Sequence, residues 1–290
     1  MKVYENLTVT GGGVGVENTA SGANSTAFGH YNRAEGDRAS AFGYGNSASE
    51  LKSSAFGYDN EASGLKSSAF GYYNTVSGYG SSAFGYYNKV SGTNSIAVGY
   101  DNTASGEYSS AFGYKSEASG NDSSAFGYYN RANGRRSSAF GYGNEASGEH
   151  SSAFGYYNEP SGTNSIAFGS QNEASGDSSS AFGHQSTASG LRSSAFGHRV
   201  TTSVQDTFEV GRWSATDVRS SSIRMHPNGQ IAMTIADSAT APTDGGATTG
   251  AEADGTLARG MFAIQKNGNA VTLYFNNGGA IQSLALGTLS

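Results

Sequence analysis

The feature that most restricts this chain is a strict 14-residue period. The triplet Ala27–Phe28–Gly29 recurs thirteen times with no insertion or deletion, ending at Ala195–Phe196–Gly197, and one copy reads Ala97–Val98–Gly99. A loop-rich globular fold has no reason to hold such a period. A solenoid does, because each coil must stack on the last. A representative unit runs Ser53-Ser54-Ala55-Phe56-Gly57-Tyr58-Asp59-Asn60-Glu61-Ala62-Ser63-Gly64-Leu65-Lys66. Two short strands fit into it, one over 54–58 and one over 60–63. Gly57 and Gly64 read as the bends, where a residue without a Cβ turns most cheaply. A helix is excluded: two glycines per unit would each cost roughly 1 kcal/mol in a helix interior, and the apolar residues show no 3.6-residue period.

Stacking sets equivalent positions about 4.8 Å apart, so thirteen coils make a rod about 60 Å long. The aligned positions form columns. One holds Asn32, Asn46, Asn60, Asn74, Asn88, Asn102, Asn130, Asn144, Asn158 and Asn172, interrupted by Ser116 and Ser186; stacked amides of this kind can hydrogen-bond up and down the column. A second runs from Ala34 to Ala188, with Val76, Val90 and Pro160 as variants. The third holds Phe28, Phe42, Phe56, Phe70, Phe84, Val98, Phe112, Phe126, Phe140, Phe154, Phe168, Phe182 and Phe196. Side chains alternate faces along a strand, so Phe56 and Ala55 point opposite ways. The small columns suit a narrow interior, which leaves Phe outside as a continuous apolar stripe larger than a soluble monomer tolerates. The stripe is therefore expected to be buried against other copies of the chain. The reverse placement, Phe inside and Ala outside, is the alternative, although a 14-residue coil encloses little volume.

On these residues the unit resembles the head repeat of trimeric autotransporter adhesins, the YadA-like head, whose pattern runs Ser-x-Ala-Ile-Gly-x-x-Ser-x-Ala-x-Gly. Ser95-Ile96-Ala97-Val98-Gly99 and Ser165-Ile166-Ala167-Phe168-Gly169 match it closely, and its downstream Ser survives as Ser116 and Ser186. Phe in place of Ile is a departure that touches packing detail. The resemblance covers about residues 13–211. It implies an all-β, left-handed parallel β-roll and a homotrimer, with the thirteen Phe and Val residues of the third column as trimer-interface candidates.

Composition adds exclusions. The net charge is −6, from 17 basic and 23 acidic residues, which gives no reason to propose nucleic acid or an anionic membrane as partner. The 43 glycines follow from the repeat and do not signal disorder or collagen. With no cysteine there are no disulfides, and assembly in a reducing cytoplasm is compatible with the sequence. No apolar run reaches membrane-spanning length. Residues 1–12 lack the apolar core of a signal peptide; Val3, Leu7 and Val9 suggest a short strand, read as an attachment segment. Gly13-Val14-Gly15 stands 14 residues before Ala27–Phe28–Gly29 and reads as a degenerate first coil. Gly11-x-Gly13 is not followed by a helix, which removes a nucleotide-loop reading.

The outer columns offer few sites. Glu145, Glu159 and Glu173 stack as an acidic column, read as a solvated face, with a cation site as the alternative. A glycosidase pair would need a cleft between its carboxylates, and a regular roll has none. Tyrosines follow the repeat glycine at Tyr44, Tyr58, Tyr72, Tyr86, Tyr100, Tyr114, Tyr128, Tyr142 and Tyr156, with a second column at Tyr73, Tyr87, Tyr129 and Tyr157. They read first as packing across the bend or between subunits, and second as a surface for sugars or protein. His30, His184 and His198 occupy the same position but make no complete metal ligand set. No catalytic residue, cofactor or metal site is legible, so the chain is read as a non-enzyme; a polysaccharide-degrading tailspike is the least favoured class.

The period ends with Phe208-Glu209-Val210-Gly211, a terminal coil. A hairpin is expected around Pro227-Asn228-Gly229, a polar linker over 237–259, and strands over 261–264, 270–275 and 281–286. Residues 212–290 are thus expected to form a small β-rich tip. Arg224-Met225-His226-Pro227-Asn228-Gly229-Gln230-Ile231 and the closing strands resemble the distal ends of bacteriophage tail fibres. That resemblance implies a virion tail protein assembled in the host cytoplasm, bound to other virion tail proteins. The rod would be a rigid spacer, and the tip would read a host receptor, a glycan or an outer-membrane protein. The absence of a secretion signal and of a membrane barrel supports this over the alternative, a bacterial surface adhesin head. Trp213, Arg212, Arg224, His226 and Tyr274 are the receptor-binding candidates, being of the types that dominate hot spots or carried with them beyond the period; Trp213 could instead plug the open edge of the last coil.

Overall fold

A computed structural model describes residues 12–212, 221–225, 231–234, 262–267, 270–276 and 281–288. Each coil carries one long strand of five residues and one short strand of two, as in Ser54–Tyr58 and Glu61–Ala62. The long strands pair in parallel at a constant offset of one coil, Ala55 opposite Ala69 and Phe56 opposite Phe70. The ladder starts with Gly12–Val16, where Gly13 opposes Ala27, and runs to Phe208–Arg212, where Val210 opposes Phe196. The fold is therefore a parallel β-solenoid of 14-residue coils. No helix occurs among the described residues. The short strands stack into a second ladder, which divides between Glu145–Ala146 and Glu159–Pro160. Pro160 brings no N–H to the ladder at that point.

Gly57 lies inside the long strand, so the first bend falls just after it at Asp59, whereas Gly64 does open the second bend, its carbonyl accepting the Ser67 N–H at 3.0 Å. Two positions in each coil adopt left-handed backbone, here Asp59 at φ +48° and Lys66 at φ +59°. The same columns hold Tyr, Arg, Asn, Gln and Asp, although a residue with a Cβ gives up roughly 1–2 kcal/mol in this region. Stacking offsets that cost. The Asp59 N–H donates to the Tyr44 carbonyl at 2.8 Å, and the Lys66 N–H to the Leu51 carbonyl at 2.9 Å. Gly57 lies inside the long strand at φ +122°, where a Cβ would overlap the carbonyl oxygen of Gly71 in the next coil. Gly64 has no such φ; it is glycine because a Cβ would overlap the Gly78 carbonyl. Close approach between coils, and not turning, is what demands glycine here. The short strand is also shorter than the expected 60–63.

The interior is narrow and made of small side chains. Ser53, Ala55, Asn60 and Ala62 are buried, and so are their equivalents from coil to coil. Phe points outward, so the reverse placement does not occur. Most of the Asn column is fully hydrogen-bonded. Asn60 Nδ2 donates to Asn46 Oδ1 at 2.9 Å, to the Phe56 carbonyl at 3.0 Å and to the Gly71 carbonyl at 2.7 Å. Its Oδ1 accepts from the backbone N–H and the Nδ2 of Asn74. A buried amide satisfied on both ends avoids a desolvation cost of about 1–3 kcal/mol per unpaired group. At Ser116 the side-chain relay stops. Asn130 Nδ2 keeps its bonds to the Phe126 and Gly141 carbonyls.

Past the last coil the chain reverses. Ser221–Met225 pairs antiparallel with Phe208–Arg212, and Ile231–Thr234 pairs antiparallel with Ser221–Met225, so both strands extend the long-strand sheet. A parallel coil has no place to stack beyond this hairpin. A three-stranded antiparallel sheet is formed by Phe262–Asn267, Ala270–Asn276 and Ile281–Thr288. The expected strand through Val3, Leu7 and Val9, the turn at 227–229 and the stretch 237–259 lie outside the described residues.

Candidate association face

The long-strand sheet presents one face to the interior and one outward. From Thr26–His30 to Ser194–His198 its outward row is a Ser, Thr or Ile, then Phe or Val, then Tyr, His or Ser, as in Ser54, Phe56 and Tyr58. No Asp, Glu, Lys or Arg occurs in any long strand from Gly12–Val16 to Ser194–His198. Charge is carried by the bends and short strands. There Arg135 reaches Glu149 at 3.0 Å, and Arg131 lies 3.9 Å from Glu117 and 3.7 Å from Glu145. Glu145 thus heads the acidic column with a cation beside it, as on an ordinary solvated face.

Along this face the Phe rings stack. Phe42, Phe56, Phe70 and Phe84 have successive centroid distances of 4.9, 4.9 and 5.2 Å, with ring planes within 8°. Val98 interrupts the stack. It resumes over Phe112, Phe126, Phe140 and Phe154. Phe168 follows Ile166 on the same face and swings out, its plane 41° from that of Phe154. Each ring covers its neighbours, so most are half-buried within one chain, while Phe28 and Phe168 are 53% and 54% exposed. Offset-stacked pairs of this kind contribute about 0.5–1.5 kcal/mol beyond area burial.

The tyrosines border the face and wrap the first bend. Tyr44 through Tyr156 stack at centroid distances of 4.5–5.3 Å. The second column occupies the left-handed bend position. Tyr73 stacks on Tyr87 at 5.0 Å and meets Tyr72 edge-on at 4.7 Å. Packing across the bend is thus what these rings do within the chain. Partial burial and the neighbouring Asp59 and Tyr58 push the Tyr73 hydroxyl up to about 12. Tyr58 and Tyr128 are raised, chiefly by partial burial, and Tyr157 chiefly by its hydrogen bond with Tyr142. A folded-state pKa above the unfolded value favours the neutral ring. Stability from these groups is therefore fully present below the ordinary value of 10 and is lost as pH rises above it, for Tyr73 through about 12. Titration of tyrosinate absorbance should show a late-ionising class that merges with the rest in denaturant. A single transition at the ordinary value in the folded protein would contradict the stacking.

His184 and His198 stack at 5.1 Å. Among the described residues no group of three or more His, Cys, Asp or Glu is placed to hold a metal ion. The thirteen Phe and Val candidates all lie on the one outward face. Arg212 sits in the last long strand with its backbone opposite Ser221, Arg224 opposes Glu209 and Ala232, and Tyr274 opposes Ala263 and Ser283. Trp213 and His226 lie outside the described residues. Missed by the repeat-based reading is that the apolar row does not stop with the repeat: Phe208, Val210, Ile223 and Met225 are also exposed. The alternation Ile223-Arg224-Met225 was the available signal.

The family model for the YadA head domain repeat matches the chain in ten segments, from residues 14–32 through 174–199, covering more than half of it. No curated protein matches the chain.

Proposed function

Because the chain belongs to the YadA head domain repeat family, we propose that it is a homotrimeric, adhesin-like structural protein whose rod is a spacer and whose residues beyond 211 bind a receptor. The observation that carries this reading is the uncharged aromatic face running the length of the solenoid. Depletion of charge with enrichment of aromatics is the signature of an interface core. Three rods closed about an axis parallel to their length give every Phe column the same surroundings, a cyclic assembly with no face left open. The rest of the coil surface repeats from level to level, which suits a spacer better than a specific reader. The role is adhesive and mechanical, not catalytic.

The finer placement is a bacteriophage tail fibre, bound to other virion tail proteins and to a host-surface glycan or outer-membrane protein. It is supported by the resemblance of residues 224–231 and the closing strands to tail-fibre ends. Family membership equally supports an adhesin head on a bacterial surface; the same rod serves either. Light scattering should give three times the chain mass at micromolar concentration. Joint replacement of Trp213, Arg224 and Tyr274 by alanine should weaken binding to host cells by about tenfold or more, while removal of two whole coils leaves binding intact. Unchanged binding in the triple variant would move the reader onto the rod.

A further inference from the structure

The Phe column solves one problem and creates another. Shifting one rod by a coil against its neighbours presents the same Ser, Phe and Tyr row again at most levels. Lateral packing through the column therefore has little preference among axial registers, just as a flat two-sided strand is prone to slip. Something aperiodic on the same face must choose one.

The structure has such a feature at the C-terminal end. Within the solenoid, most long strands set one large apolar side chain beside a Ser. In the last one the Ser position is Phe208 and the Phe position is Val210, and the Phe208 ring lies 5.3 Å from Phe196. The antiparallel strand then places Met225 opposite Phe208 and Ile223 opposite Val210. The ladder continues with Ile231 opposite Met225 and Met233 opposite Ile223. Phe208, Val210, Ile223 and Met225 are 38–48% exposed. The stripe thus doubles in width where the repeat ends, on the face that already carries the Phe column.

We propose that the patch of Phe208, Val210, Ile223 and Met225 sets the axial register of the assembly by packing against the same patch of two further copies of this chain. The proposal rests on the self-association reading above. The occupant follows from continuity: the patch extends the Phe column on one uncharged face, and in a cyclic assembly equivalent surfaces meet around the axis. In register, all three wide patches bury one another. After a slip of one coil, part of each patch faces the Ser194 row of its neighbour, and the outermost strand faces solvent. Two interior coils also carry a second apolar side chain, Ile96 beside Val98 and Ile166 beside Phe168, but each widens the face within a single strand, whereas the terminal patch does so across two paired strands.

The absence of cysteine makes a direct test possible. The full chain would be co-produced with a differently tagged chain lacking residues 69–96, two whole coils. Both would carry either Phe28→Cys or Phe196→Cys. If the C-terminal patch sets the register, mixed oligomers align there. The two chains then differ by about 10 Å at their N-terminal coils, beyond disulfide reach, so cross-linking between them should be about tenfold or more stronger with Phe196→Cys. Equal cross-linking at both sites, or a preference for Phe28→Cys, would overturn the proposal. A second arm adds Ile223→Thr and Met225→Thr, both at exposed positions. The oligomer mass should hold while the preference for Phe196→Cys disappears. If the preference persists, or the oligomer falls apart with the coils still folded, the patch is not the aligner. A monomeric full chain would instead overturn the self-association reading itself, a result visible before any cross-link is read.

Discussion

Replacing Gly57 by alanine should split the solenoid at its fourth coil. The position combines φ +122° with a carbonyl from the next coil in the space a Cβ needs. Strain in that backbone region costs on the order of 1–3 kcal/mol, and displacement of the Gly71 backbone adds to it in each chain of an assembly. We expect a loss of about 3 kcal/mol or more, with a large drop in melting temperature by circular dichroism and new protease cleavage in the flanking coils. Asp59→Gly is the matched control. It sits two residues on, also at positive φ, in a column where Gly45 and Gly143 already occur. That variant should melt within a few degrees of the parent. An unchanged melting temperature in Gly57→Ala would show that the coils can separate to admit a Cβ and that close stacking is not what fixes glycine there.

Phe112→Asp should dissociate the assembly. In a trimer closed on the Phe columns it brings three carboxylates toward one axis in the middle of the rod, and burying unpaired charge costs several kcal/mol. The effect should depend on pH in a defined direction. Burial and like charge raise the carboxyl pKa in the assembly above that in the separate chain. The variant should therefore reassemble as pH falls and come apart as pH rises through the ordinary carboxylate range. Sedimentation at several pH values reads both outcomes. A variant that keeps the parent mass and melting temperature at neutral pH would place the Phe face away from any axis.

Much of the fold was legible because the period removes most alternatives. One unit, repeated without slippage, specified parallel stacking. The contrast between Ala55 and Phe56 specified which face is inside, since only the smaller column fits a coil of 14 residues. The Asn column was legible for the same reason. Its third partner, the Gly carbonyl eleven residues on, was not, because it depends on the path of the bend. The first bend was misassigned to Gly57, which lies inside the long strand, while the second does begin at Gly64. Asp59 and Lys66 accept left-handed backbone because their N–H groups find carbonyls in the preceding coil, a tertiary effect invisible to local propensity. On the association face, the Phe column was readable from the period. The widening at Ile223 and Met225 was not, because it arises from an antiparallel pairing that begins where the period ends.

The hydrogen bonds that join one coil to the next all point along the rod. A pull applied between its two ends therefore loads them one coil at a time, beginning at an end, like a zipper and unlike a clasp. Each coil released exchanges about 4.8 Å of rod for 14 residues of extended chain, roughly 45–50 Å. The response to tension is then a series of small yields and not one rupture. The seams at Ser116, Pro160 and Ser186, where a column or ladder is broken, mark where yielding is easiest inside the rod. A rod built this way absorbs work by lengthening, so tension rises slowly over a long extension before the two ends part.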